Sequence, residues 1–276
     1  MPFIMLLGIG LMLMVGMYFL QFSMRPLYVG LIASIIIGAF GLNRYFNTRR
    51  VPVVETNNII VGICADFEPF TFIDNGFFRG LDIDLMNEIA QRLHKTITWQ
   101  NMPFGTLIPS LQLGTIQVIA AGLTTTPERA KHVLFTEPYV DNDPLVLVSN
   151  VTNPVNSLEE TRNKTVAVSK GYTADTYMSA QPNVMMLRLS TPADVFLALL
   201  SKRADVFVAA SKTLRVLFAQ YGKDNFKIVE IPGTAENASF AIAPSCPGLR
   251  DEIDAILTAM KKDGTLDKLK AKWKVS

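Results

Sequence analysis

A chain of 276 residues, 49% hydrophobic and 18% charged, is long enough for two domains and too apolar for a disordered or collagen-like protein. Its net charge of +2 arises at the start: residues 1–50 hold Arg25, Arg44, Arg49 and Arg50 and no acid, leaving 22 basic and 24 acidic side chains for the rest. A remainder that is slightly acidic gives no footing for nucleic-acid binding.

The chain opens on two apolar runs, residues 2–20 and 27–42, separated by QFSMRP. Only the first has the full length of a spanning helix. The second, preceded by Met24 and Arg25, also reads as a signal peptide, with translation starting at Met24 and a loose small-x-small cleavage site at Ala39, Phe40 and Gly41. No cysteine follows it, so a lipoprotein anchor is not expected. The rival reading is a genuine two-helix hairpin, whose flanking Arg44, Arg49 and Arg50 would favour the cytoplasmic side. Residues 1–50 are thus a signal or anchor region, and 51–57 a linker.

From Asn58 onward, short β-rich runs alternate with helical periods. NIIVGICA, VAVSKG and ADVFVAAS read as buried strands. LDIDLMNEIAQRLHK places Ile83, Met86, Ile89, Ala90 and Leu93 on one helical face, with Asp82 and Asp84 as candidate caps. Strand then helix recurs through TLIPSLQLGT, QVIAAGL, PADVFLALLSKR and KTLRVLFAQYG, which predicts an α/β chain with mostly parallel strands. LRDEIDAILTAMKKDG is an amphipathic helix stopped by Gly264, and Thr265 is expected to cap a last helix ending near Trp273. Two strand-like connections, DPLVLVSN and ASFAIAP, bracket the middle of the chain, which suggests two lobes joined by two crossings.

Chemistry is scarce. Two histidines exclude HExxH and multi-histidine metal centres, and Cys64 and Cys246 are too few for a disulfide framework or paired zinc ligands; whether they pair with each other is open. In GLTTTPERAKHVLFTEPY, Thr126, Pro127 and Glu128 form a helix start, and Arg129 falls in its first turn. Gly122 and Thr124 lie at the mouth of the preceding strand, where α/β sheets bind ligands. A guanidinium, a hydroxyl and a glycine amide there suit a carboxylate, although an ordinary capped helix explains the same residues. Phe67 and Phe70 could line a pocket or simply fill core. Gly171, Tyr172 and Thr173, between a strand and a helix, could hold an anion or form a plain capped loop. No nucleotide-binding glycine motif accompanies them.

Taken in order, ADFEPFTF, GLDIDLMNEIAQRL, FGTLIPSLQLG, AAGLTTTPERAKHVLFTEPY, VAVSKG, RADVFV and DGTLDKLKAKW resemble the periplasmic solute-binding proteins of polar amino-acid ABC transporters. The resemblance implies a two-lobed periplasmic-binding-protein-like α/β fold of type II. Lobe 1 would comprise residues 58–143 and 238–276 and lobe 2 residues 144–237, with hinges near Tyr139 to Asp143 and Glu236 to Phe240. It also implies a monomer that catalyses nothing, needs no cofactor or metal, and delivers an amino acid or small carboxylate to an ABC permease and its ATPase outside the cytoplasm. Phe67 and Phe104 match the aromatic pair that sandwiches the ligand. Arg129 matches the arginine that binds its α-carboxylate, helped by Thr124 and the backbone at Gly122, with Gly171 to Thr173 contributing from lobe 2.

The departures bear on substrate. Where the family usually carries an aspartate for the ligand's α-ammonium, this chain has Ala210, and an acid common in the first strand is replaced by Cys64. Losing a buried charge partner costs about 2 to 5 kcal/mol. Either Glu68 or Asp66 supplies the missing carboxylate, or the ligand lacks an α-ammonium. Tyr172, where a smaller residue is common, narrows the pocket, and Gln117 affects only a strand end. Two other classes compete: a membrane-tethered sensing module, and an enzyme resembling cyclohexadienyl dehydratases with Glu68 as its acid or base.

Overall fold

Period-two alternation of apolar residues decides how the sheets of this protein are covered. The computed structural model describes residues 57–275. The expected signal or anchor region 1–50 and the linker up to residue 56 lie outside the described residues, among which no helix is long and apolar enough to cross a membrane.

In chain order the first half contains β1 (Asn58–Ile63), β2 (Asp66–Phe67), β3 (Thr71–Asp74), β4 (Phe77–Arg79), α1 (Leu81–Arg92), β5 (Thr96–Asn101), α2 (Phe104–Gln112), β6 (Val118–Ile119), α3 (Pro127–Ala130), β7 (Leu134–Phe135) and β8 (Val140–Asp143). Then follow β9 (Leu145–Asn150), β10 (Thr165–Ser169), α4 (Thr173–Ser179), β11 (Met185–Leu189), α5 (Pro192–Leu200), β12 (Val206–Ala210), α6 (Ser211–Tyr221) and β13 (Phe226–Glu230). The chain ends with β14 (Glu236–Ala238), β15 (Ala241–Ile242), α7 (Pro247–Lys262) and α8 (Thr265–Lys272).

Two five-stranded sheets result, ordered β5-β1-β6-β15-β7 and β11-β10-β12-β9-β13. Each is covered on both faces. In β1, Ile59, Val61 and Ile63 face a core shared with α1, α7 and α8, while Ile60 turns toward Leu107 and Leu111 of α2. In β9, Val146 and Val148 join Phe196, Phe207 and Leu214 on one face, and Leu145 and Leu147 join Val166, Val168 and Met178 on the other. Such double coverage is why these strands read as continuous apolar runs. The helical face expected on α1 buries Ile83, Met86, Ile89 and Ala90, with Leu93 packed against the same core.

The chain passes between the sheets twice, through β8 into β9 and through β14 into β15. β8 and β14 pair antiparallel, with Asp143 opposite Glu236 and Val140 opposite Ala238. Both sheets lie within one compact unit, Asn57–Ser276. The expectation of mostly parallel strands needs correction: β1, β5 and β6 are parallel, as are β10, β11 and β12, but β9 and β15 each run antiparallel to both of their neighbours. Both follow directly from the crossing ribbon, so they enter their sheets without the helical crossover that makes successive strands parallel.

Helix starts also differ from expectation. Gly264, in the left-handed conformation, stands at the N-cap of α8, and Thr265 is its first residue, its amide donating to Asp263 at 2.9 Å. Asp82 and Asp84 occupy the first turn of α1 but cap nothing. Asp84 instead accepts from Lys272 Nζ at 2.6 Å and Trp273 Nε1 at 2.7 Å, tying the C-terminal helix to α1. Asp82 has no exposure at all, and its two oxygens accept from the amide of Gly122 at 2.7 Å and the hydroxyl of Tyr139 at 2.8 Å. Burial pushes its carboxyl up to about 7, against the opposing pull of those two donors.

Two outcomes test these local devices. Gly80 precedes α1 at φ 127°, and a Cβ there would stand 2.0 Å from the Phe70 carbonyl oxygen; Gly80→Ala is expected to cost about 2 to 4 kcal/mol in urea denaturation. Asp82 goes from 3.8 to about 7 on folding, so the folded chain holds the proton more tightly than the unfolded one. Its stabilising contribution is full below about pH 4 and is lost as pH rises to about 7. Relative to the wild type, Asp82→Asn, which mimics the protonated carboxyl, should gain up to about 4 kcal/mol over that range in thermal melts. A difference that does not change with pH would mean that Asp82 is ionised throughout.

Candidate ligand-binding site

Strand ends of both sheets converge on one cleft, part of it open to solvent. Chain segments leaving β6, β10 and β12 line it with Gly122 and Thr124, Ser169, and Ala209 and Ala210 respectively. These are carboxyl ends of parallel strands, the usual ligand position in open α/β sheets. Phe67, Phe104, Arg129, Tyr172, Thr173 and Glu236 complete much of the wall.

Arg129 is positioned by the helix start that contains it. The Thr126 hydroxyl accepts from the Arg129 amide at 3.2 Å, and Pro127 occupies the first helical turn. The guanidinium donates to the Thr124 carbonyl at 2.8 Å and to the Gly171 carbonyl at 3.1 Å, so it reaches from one sheet's segment to the other's. Its carbon also lies 5.5 Å from the centre of the Phe104 ring. Burial lowers its pKa, while Glu236 acts in the opposite direction. Of the five guanidinium donors two are used, leaving three for a ligand.

Glu236 is the acid in the cleft. Its Oε2 accepts from the Thr124 hydroxyl at 2.8 Å. Burial raises its pKa; the Thr173 and Thr124 hydroxyls lower it, Asp143 raises it, and Arg129 lowers it. The carboxylate is therefore partly desolvated yet satisfied from both sides of the cleft.

Phe67, Phe104, Gly122, Thr124, Arg129, Tyr172 and Thr173 are brought together as the sequence suggests. Three of the expected donors are already committed. The Gly122 amide is taken by Asp82, the Thr124 hydroxyl by Glu236, and the Gly171 amide by Asp175 Oδ2 at 3.0 Å. Gly171 stands at the edge, contributing its carbonyl to Arg129. Glu68 is exposed and lies outside the cleft lining; its pKa is raised by partial burial and by Asp74. Asp66 is also exposed and accepts from the Cys64 thiol at 3.0 Å. Neither lines the cleft. Glu236, which sequence reading placed only in a hinge, is the acid that lines the cleft. The available signal was an acid on the return crossing, at the point where the chain passes the strand ends.

Gly122 shapes the floor. At φ 56° it permits the rings of Phe67 and Phe70 to approach where a Cβ would stand 2.6 and 2.9 Å from them. Those two rings stack at 5.1 Å. Tyr172 enters from the other side, stacked on Phe104 with centroids 4.1 Å apart and edge-on to Phe67 at 5.4 Å. Cys64 and Cys246 are free; burial and the nearby Asp66 push the Cys64 thiol up to about 12. Gln117 Oε1 accepts from the Ile60 amide at 3.0 Å, outside the cleft.

The description "Bacterial extracellular solute-binding proteins, family 3" fits residues 59–276. The chain is 28% identical over 218 residues to a putative ABC transporter arginine-binding protein 2 of Escherichia coli K12, covering 76% of this chain and 87% of that protein. It is 27% identical to the ABC transporter glutamine-binding protein GlnH of Bacillus subtilis, covering 80% and 82%. Among solved structures, a mutant of ArgBP from T. maritima superposes with a TM-score of 0.74 at 35% identity, covering 80% of this chain and 96% of that one. The ancestral amino-acid-binding protein AncCDT-1, a precursor of cyclohexadienyl dehydratase, superposes with a TM-score of 0.73 at 31% identity, covering 80% and 97%. With the cleft lying between two α/β sheets, the fold is periplasmic-binding-protein-like, and the chain belongs to the bacterial extracellular solute-binding proteins of family 3.

Proposed function

We propose that this protein is the ligand-binding component of an ABC importer and that its ligand is an α-amino acid. One observation carries the choice of ligand: Arg129 and Glu236, of opposite charge, line the same partly desolvated cleft. Arg129 takes the α-carboxylate through its three remaining donors. Glu236 takes the α-ammonium in place of the acid absent at Ala210, and the Thr124 oxygen, its proton directed to Glu236, accepts a further N–H. The names of the relatives, which include arginine- and glutamine-binding proteins, support the amino-acid class.

Residues 58–143 and 238–276 form one lobe on this reading and 144–237 the other, with β8 and β14 as the hinge ribbon. A ligand bridging the lobes adds contacts present only in the closed form, and so shifts the population toward closure. The closed surface is what a permease would read. The apolar runs in residues 1–50 support export or membrane anchoring outside the cytoplasm. A dehydratase reading draws on the AncCDT-1 likeness, but the residue assigned as its acid, Glu68, lies outside the cleft.

Titration calorimetry on the full-length chain in mild detergent tests the reading. Arg129→Ala should abolish measurable binding of amino acids and of their amine-free analogues alike. Glu236→Gln should weaken amino-acid binding about 30- to 3,000-fold while sparing the amine-free carboxylates, the equivalent of about 2 to 5 kcal/mol. Because an ammonium favours the ionised form of Glu236, affinity should fall as pH drops through its pKa, which is raised above 4.5. Below that pKa, binding should release a proton, and Glu236→Gln should not show this release. A wild type that prefers amine-free carboxylates would overturn the assignment.

A further inference from the structure

The Tyr172 ring occupies the slot between Phe67 and Phe104, and we infer that it sets the size of the ligand: the site takes amino acids whose side chains are no larger than those of alanine or serine. The inference rests on the α-amino-acid reading and deepens it.

Tyr172 stands at the N-cap of α4, on the segment that follows β10 of the second sheet. Its ring nevertheless packs against the core of the first sheet. Phe104 carries the ring on its face at 4.1 Å with planes 25° apart, and Phe67 meets it edge-on at 82°. These are two favourable aromatic geometries, and together they fill the space between Phe67 and Phe104 that a long ligand side chain would need. Phe104 also lies beneath the Arg129 guanidinium. An amino acid whose carboxylate is held by Arg129 therefore has its aromatic neighbour already covered.

The rest of the lining around the two charged anchors is mostly small side chains, among them Thr124, Ala209, Ala210 and Thr213, so the aromatic rings are what limit its reach. The hydroxyl of Tyr172 is buried and makes no hydrogen bond. Its own pKa is raised by burial first and then by Cys64 and Asp66, with Arg129 opposing. A buried hydroxyl without a partner is unfavourable, so it is the stacking of the ring that holds the side chain in the slot. The ring thus stands where a ligand's side chain would otherwise supply the contact between lobes.

The test is a calorimetric panel of glycine, alanine, serine, glutamine and arginine with the full-length wild type, Tyr172→Ala and Tyr172→Phe. The wild type should bind the best of the first three at least tenfold more tightly than glutamine or arginine. Tyr172→Ala should reverse the ranking by at least tenfold, and Tyr172→Phe, which restores the ring, should restore it. A wild type that binds glutamine or arginine as tightly as alanine, or a folded Tyr172→Ala with an unchanged ranking, overturns the role of Tyr172 and leaves the α-amino-acid reading standing. If no chain binds any of the five while all melt cooperatively, both readings fall. Should Tyr172→Ala not fold, Tyr172→Val takes its place, with the same two outcomes.

Discussion

The buried carboxyl of Asp82 is the constraint on which the rest of the cleft depends. It joins the first turn of α1 to the backbone at Gly122 and to Tyr139, the residue that leads into the first crossing. An uncompensated charge at zero exposure would be costly, and the fold answers with two donors and a pKa raised to about 7. Fixing Gly122 fixes its positive φ, and with it the approach of Phe67 and Phe70. Thr124, two residues further on, then meets Ala238 in an isolated bridge and Glu236 through its hydroxyl. A single helix-turn acid thus sets the relation between sheet, cleft floor and the ribbon of β8 and β14.

Charge in the cleft is balanced by similar means. Burial acts against the charged forms of both Arg129 and Glu236, and each of the two offsets part of that penalty for the other. Hydroxyls and backbone carbonyls offset more of it, Thr124 and Thr173 for the carboxylate and the carbonyls of Thr124 and Gly171 for the guanidinium, while burial remains the larger effect on both. Removing either charge leaves the other buried with fewer partners, which is generally more damaging than removing both. On the amino-acid reading, this asymmetry would disfavour ligands that match only one of the two.

Much of this was legible in the sequence because it is local. The alternating apolar residues of β1 and β9, the stripe on α1 and the Thr126–Pro127–Glu128 helix start each specify structure within a few positions. Phe67, Phe104, Thr124 and Arg129 are grouped by the family resemblance rather than by local pattern, and all four line the cleft. What was missed depends on distant partners. Asp82 looks like a cap because nothing nearby reveals Gly122 and Tyr139, 40 and 57 positions away, and Glu236 meets Thr124 across 112 positions. The antiparallel course of β9 and β15 was hidden similarly, since direction in a sheet is set by the connection and apolar runs carry no sign of it.

The position of the acid also has a consequence for closure. At the start of α6, where Ala210 replaces an acid, Asp143 from the first crossing accepts from the Ser211 hydroxyl at 2.8 Å and the Lys212 amide at 3.0 Å, so the helix end is satisfied without a residue of its own. Glu236 meanwhile sits opposite Asp143 in the ribbon of β8 and β14. If the ligand's ammonium is held there rather than on α6, both charged anchors belong to the first lobe and the hinge, and neither has to be carried in by the second. The ligand can then engage its two charges before closure. From the side of the second sheet, the Gly171 carbonyl accepts from Arg129, the Thr173 hydroxyl bonds Glu236 and the Tyr172 ring packs on the first sheet's core, contacts made across the cleft. On the proposed reading, selection by charge would belong to docking and selection by size to the aromatic ring of Tyr172, which stands in the space a longer side chain would occupy.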